Sequence, residues 1–152
     1  MSVYRYRQAS ELDVAAMARL REQSGWEGGG SAERMGRYLR GDHHPQHAQA
    51  ARIAFVAEDG NDLVGFIAGH VTTRFDCDGE LQWLLVDAAA RGGPAATQLW
   101  AHLRDWFVAQ QARRVCVNVE PGNARARRFY ARMGATELSS HWMVWSDVAE
   151  PA

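Results

Sequence analysis

The chain has 152 residues, a net charge of −1, 47% hydrophobic residues and 23% charged ones, figures that suit one globular domain with a sizeable core. That charge balance argues against whole-molecule attraction to nucleic acid or an anionic membrane, and no apolar stretch approaches the ~18 residues of a bilayer span. All seventeen basic residues are Arg, so Schiff-base chemistry and a phosphate-binding P-loop lysine are both excluded.

Taken in chain order, Val3 to Arg7 alternates and reads as a short strand. Ser10 with Asp13 three residues on has the pattern of a helix start, and Leu12, Val14, Ala16, Met17 and Leu20 supply an apolar stripe, which predicts a helix over 11–23. Gly25 and Gly28-Gly29-Gly30 break it. Ser31 caps a second helix, about 32–40, with Met35 and Leu39 on one face. Gly41 stops that helix, and 42–50 reads as loop. Ile53–Glu58 and Leu63–Thr73 are strands joined by the hairpin turn Asp59-Gly60-Asn61-Asp62. A further turn, Asp76-Cys77-Asp78-Gly79, leads into a third strand of this group, Glu80–Val86. Nearly every residue of it is apolar, as in a strand covered on both faces.

Pro94 suits a first helical turn, and Leu99, Leu103 and Trp106 recur at helical spacing beside Trp100 and Phe107, giving a helix over 94–111. Val115, Val117 and Val119 alternate in a strand over 114–119. Pro121-Gly122 turns the chain, Asn123 caps a helix through Met133, and Gly134 ends it. Two short strands follow, about 136–140 and 141–147. The strand–helix–strand passage across 80–119 implies a parallel pair with a right-handed crossover, and the hairpins on either side imply antiparallel neighbours. The expected architecture is a single α/β domain over 1–152: one mixed α+β sheet of about seven strands, flanked by about four helices.

The chemistry is concentrated between Glu80 and Gly134. A buried strand ends at Val86, and the turn Arg91-Gly92-Gly93-Pro94-Ala95-Ala96 then opens a helix whose first amides are free to meet a phosphate. After the next strand comes Asn123-Ala124-Arg125-Ala126-Arg127-Arg128-Phe129-Tyr130-Ala131-Arg132-Met133-Gly134. This order and spacing resemble the GNAT superfamily of acyl-CoA-dependent N-acyltransferases, and the flanking elements from Tyr4 to about Val148 fit its element order. One position departs from the family pattern: Pro94 stands where the loop has its first motif glycine, and proline brings no N–H.

The resemblance implies a fold, an activity and a set of roles. The expected activity is transfer of an acetyl group from acetyl-CoA to a primary amine by direct attack, with no metal. Backbone amides of Arg91, Gly92, Gly93, Ala95, Ala96 and Thr97 would cradle the pyrophosphate. Leu84, Leu85 and Val86 would hydrogen-bond the pantetheine arm and offer an N–H to the thioester oxygen. Asn123 would line the cofactor cleft, and Tyr130 would protonate the departing thiolate, a role that suits a phenol. Glu80 stands six residues before Val86, the relation that some family members give their catalytic glutamate. It is either the base or a strand-end carboxylate facing water, and His70 on the neighbouring strand is the substitute base or a structural histidine. Trp26, flanked by glycines, and Glu27 would close over a cationic acceptor, or belong to a surface loop. Trp83 would wall the acceptor pocket or pack in the core.

Other features carry less. Asp42-His43-His44-Pro45-Gln46-His47 has metal-ligand residue types, but Pro45 opposes the regular helix that would align His43 with His47, and a polar loop is expected. Arg125, Arg127, Arg128 and Arg132 form a basic helix with no basic stripe elsewhere, so no nucleic-acid partner is expected. Cys77 and Cys116 fit no zinc or redox spacing; a single disulfide between them is open, and two reduced thiols are the expected state. Residues 1–7 lack the apolar run of a signal peptide, so a cytoplasmic location is expected. The partner is expected to be a small-molecule amine, with no membrane, and pairing of terminal strands in a homodimer is an open option. The competing reading is a non-catalytic domain of the same fold that senses acyl-CoA or binds a partner, motivated by Pro94.

Overall fold

The computed structural model describes residues 3–25 and 29–151. The strands are β1 (Arg5–Gln8), β2 (Ala48–Asp59), β3 (Asp62–Thr72), β4 (Gly79–Val86), β5 (Val115–Asn118), β6 (Thr136–Ser139) and β7 (Trp142–Trp145). They form one sheet in the order β1-β2-β3-β4-β5-β7-β6. The helices are α1 (Val14–Gln23), α2 (Ser31–Arg40), α3 (Ala95–Ala109) and α4 (Ala124–Arg132). The expected mixed sheet and helix number are what the structure shows. β4 and β5 are the parallel pair, and every other pairing is antiparallel.

Two cores lie on opposite faces of the sheet. Leu99, Leu103 and Phe107 of α3 pack with Ile67, Leu81, Val115, Val117 and Tyr130. On the other face Met17 and Leu20 of α1 and Met35 and Tyr38 of α2 pack with Val56, Phe66, Ala68 and Trp83. Gly79 is required by the first of these cores, because a Cβ there would lie 2.5 Å from Phe107 Cε1. Gly41 takes a left-handed φ of 83° to stop α2, as its position predicts.

Three expectations change. Ser31 is the first residue inside α2 and does not cap it: Gly30 is the capping residue, and Ser31 Oγ is buried with no hydrogen-bond partner among the described residues. Leu12 is 95% exposed and outside the stripe. The chain enters α1 through a 3-10 turn, Glu11–Asp13, closed by a reciprocal capping box between Ser10 and Asp13. That turn puts Leu12 out of phase with the helix behind it, where Met17 and Leu20 face inward as expected and Ala18 joins them. Residues 48–50, expected in a loop, begin β2. The register places Ala48 opposite Thr72 across an irregularity, so pairing with β3 overrides a sequence of weak strand propensity.

Arg7 ties the first turn to the sheet. Its guanidinium grips Asp13 through two hydrogen bonds of 2.8 Å and donates from Nε to Glu58 at 2.8 Å. These bonds hold the Asp13 and Glu58 carboxyls below their ordinary range. The unfolded chain therefore binds more protons near pH 4, so this contribution is present above that range and lost as pH falls through it. Arg7→Met is expected to lower Tm by about 3 °C at pH 7, with the gap closing towards pH 2. Melting curves at both pH values check this, and an unchanged gap would refute it.

Candidate active site

The main cleft lies where the parallel pair separates. β4 and β5 are in register at Gly79–Val115, Glu80–Cys116 and Leu81–Val117. Beyond Leu81 the two strands diverge. At that point β4 carries a bulge: Ala68 faces Trp83 and Gly69 faces Leu81, which leaves Gln82 unpaired. The bulge keeps Leu81 and Leu84 on the α3 side and Trp83 and Leu85 on the α1–α2 side. The opening is a cleft of about 380 Å³. Its walls include Leu81 to Leu85 from β4, Val117 to Glu120 at the end of β5, and Asn123, Ala126 and Tyr130 from the α4 segment. Arg21 reaches it from α1 and packs its guanidinium over Trp83, 5.6 Å from the ring centre.

Tyr130 is nearly buried, with Phe129 and Trp145 against it edge-on at 5.6 and 5.7 Å between centroids. Burial raises its phenol above the ordinary value, so the proton stays on at neutral pH. Asn123 caps α4, its side chain accepting from Ala126 N at 3.2 Å. Trp83 both lines the cleft and packs in the core, 5.0 Å from Tyr38.

Glu80 and His70 come together, but away from the cleft wall, which starts at the next residue, Leu81. They face the α2 side as opposite partners in the register of β3 and β4. Glu80 is not a solvated strand-end acid: it is 5% exposed. Its Oε1 accepts from Arg74 Nε at 2.9 Å and lies 3.7 Å from His70 Nε2. His70 is fully buried, and its Nδ1 is hydrogen-bonded to Tyr38 Oη at 2.8 Å. Tyr38, His70, Glu80 and Arg74 thus form one chain of polar groups, and Arg74 is further held by Gln46 O at 3.0 Å and by the ring of Trp142 at 4.7 Å.

The Gly-rich turn leads from β4 to α3. Pro94 is the capping residue of α3, and Gln98 N donates to Pro94 O at 3.0 Å as the first helical bond. The amides of Ala95, Ala96 and Thr97 precede that bond and are the open donors of a helix start. Arg91, Gly92 and Gly93 are exposed, with Gly92 at a φ of 82°. Ala95 is buried in the core under α3. The Thr97 side lines a smaller cavity of about 110 Å³ with Trp100, Met133 and Trp145, separate from the cleft. Trp26 and Glu27 lie outside the described residues.

Sequence reasoning missed Arg74, Tyr38, Gln82, Arg21 and the β5 end. Arg74 was within reach, since a turn after β3 brings it back to the start of β4. A bulge leaves no sequence signature in so apolar a strand, and Arg21 is an ordinary helix arginine until the fold places it. Among the described residues no group of three His, Cys, Asp or Glu side chains could hold a metal, and no helix is long and apolar enough to cross a membrane. His43 and His44 instead contact Arg34 and Arg52, at 3.4 and 2.8 Å.

A splayed parallel pair, a buried phenol beside the gap and a helix start after β4 define an acyltransferase fold with a cleft where β4 and β5 part. The family profile described as acetyltransferase (GNAT) family matches residues 15–135. The chain belongs to that family. Among solved structures it is similar to an acetyltransferase from Thermus thermophilus, with 19% identity, 100% of each chain covered and a TM-score of 0.75. It is also similar to the PaiA N-acetyltransferase of Thermoplasma acidophilum in complex with coenzyme A, with 17% identity, coverage of 94% and 98%, and a TM-score of 0.70. A third is the ribosomal-protein-alanine N-acetyltransferase of Brucella melitensis, with 18% identity, coverage of 92% and 98%, and a TM-score of 0.70. No curated protein sequence matches the chain.

Proposed function

We propose that this chain is a cytoplasmic N-acetyltransferase that moves an acetyl group from acetyl-CoA to the primary amine of a small molecule. The observation that carries this reading is the placement of Tyr130 in the gap between β4 and β5. The residues fit the cosubstrate: among the described residues the β5-facing edge of β4 has no ladder partner from Gln82 to Val86 and Gln82 Oε1 is buried with no hydrogen-bond partner, and α3 opens with the unpaired amides of a helix start. Acetyl-CoA would bring the acyl group as an activated thioester.

The chain's own residues then do three things. Amides of Gly92, Ala95, Ala96 and Thr97 hold the diphosphate, those of Arg91 and Gly93 donating to Ala88 O and Ala90 O at 3.3 Å, while Leu84 to Val86 and Asn123 hold the arm. A β4 N–H at Leu84 meets the charge that develops on the acyl oxygen. Tyr130 delivers its proton to the leaving sulfur. Glu80 takes the amine's proton through water. Arg74 and His70 both approach Oε1, and Glu80 stands one residue outside the cleft lining, which is why water has to carry the proton. A cleft of about 380 Å³ is within the size range of a small-molecule site.

Calorimetric titration of acetyl-CoA, followed by turnover with primary amines and with peptides of free N-terminus, tests the reading. Turnover of small amines is expected. Faster turnover of peptides would replace the acceptor class, and binding without any turnover would favour the sensor reading that Pro94 motivates. Pro94→Gly adds one N–H donor at the turn and is expected to tighten acetyl-CoA binding about fivefold. Equal or weaker binding by the variant would show that the turn already supplies every donor it uses.

A further inference from the structure

Cys77 and Cys116 are absorbed by neither the fold's large cores nor the reaction. Cys77 follows the 3-10 turn Arg74–Asp76, and Cys116 is the register partner of Glu80 on β5. Both are free and buried, in a small third cluster with Val144, bordered by Leu138 and Trp142. The two side chains share that one cluster, and the Cys77 thiol donates to Phe75 O at 3.8 Å. The segment that covers them is the least relaxed stretch of backbone near the site. Phe75 and Asp76 are consecutive non-glycine residues with φ of 54° and 58°, a conformation that costs energy and persists only where surroundings enforce it. Phe75 is half-exposed and rests edge-on against Trp142 at 5.1 Å.

We infer that Cys77 and Cys116 are a peroxide-responsive dithiol that closes into an intramolecular disulfide, fastening the β3–β4 turn to β5. The two sulfurs are unequal partners. Cys77 is held below the ordinary thiol value, first by the neighbouring Cys116 and also by Arg114, whereas Cys77, burial and Glu80 push Cys116 up. Cys77 is therefore the attacking thiolate and Cys116 the resolving thiol. Cys77 sulfur attacks one oxygen of a hydroperoxide. The O–O bond breaks, and the other oxygen leaves with a proton as water or alcohol. Cys116 sulfur then displaces hydroxide from the Cys77 sulfenic acid, the S–S bond forms, and the Cys116 proton departs with the hydroxide as water. Two thiols lose two electrons, and the peroxide gains them.

The crosslink would fix the segment that presents Arg74 to Glu80, so the oxidation state of the pair reaches the buried carboxylate through three residues of chain. The inference stands apart from the acetyl-transfer reading, because its test needs no substrate.

The test treats the full chain with hydrogen peroxide, quenches it, and reads the product by intact mass and tryptic mapping. Cleavage after Arg74, Arg91, Arg114 and Arg125 isolates the cysteines in separate peptides, 75–91 and 115–125. The expected result is one linked peptide pair, loss of both titratable thiols together, and full recovery with dithiothreitol. Cys116→Ser is expected to leave a dimedone-reactive sulfenic acid at Cys77, and Cys77→Ser to leave Cys116 unoxidised. Thiols that stay titratable, oxygen addition without linkage, or linkage only between two molecules would each overturn the inference. The wild-type peptide map decides even where a variant does not fold.

Discussion

Tyr130→Phe is expected to lower kcat about 10²–10⁴-fold, the range for loss of a positioned general acid, with acetyl-CoA affinity within about twofold of the wild type. The phenol has no side-chain partner that the fold depends on, and its ring packs through Phe129 and Trp145, so phenylalanine keeps the packing and removes only the proton. Steady-state kinetics with calorimetry on the same preparation checks both halves. Unchanged kcat would remove Tyr130 from the reaction. Parallel loss of binding would make it a residue of the cleft's shape.

Arg74→Met is expected to destabilise the fold by about 3 kcal/mol, because it leaves the Glu80 carboxylate inside the protein without its cation. Arg74 also loses its contacts with Gln46 O and the Trp142 ring. The informative comparison is the double variant Arg74→Met/Glu80→Gln. With the charge gone, most of the loss should return, so the two changes are strongly non-additive. Urea unfolding of the four proteins measures it, and additive losses would show that the ion pair contributes little. Glu80→Gln alone separates the residue's two assignments: a stability change marks the ion pair, and lost turnover in a folded protein marks the base.

The elements that local chemistry specifies were the ones legible from sequence. Leu99, Leu103 and Trp106 announce α3 by spacing, Asn123 announces the start of α4 by its cap, and Asp59 to Asp62 announce the β2–β3 turn. Leu12 misled because a capping box can sit on a 3-10 turn, whose period differs from that of the helix behind it. The start of β2 was illegible because Ala48 to Ala51 become strand only through pairing with β3. The same division runs through the site. Tyr130 and Asn123 lie within one helical motif and can be read together. The partnership of Glu80 with Arg74, and of His70 with Tyr38, exists only after hairpin register and helix packing bring distant residues to one face. The Gln82 bulge follows from how β4 meets β3, which composition does not encode.

The early parting of β4 from β5 has a mechanical meaning. Three residue pairs join the two halves of the sheet at this point, against nine between β2 and β3. The centre of the molecule is therefore a short seam between an amino-terminal sheet backed by α1 and α2 and a carboxy-terminal ribbon of β5, β7 and β6. Thermal opening concentrates along a line of so few bonds. A molecule bridging both banks acts as a stitch, and its affinity is added to the resistance of the seam in proportion to its concentration. The crevice that admits a ligand is thus also a place where the unliganded sheet is thinly joined.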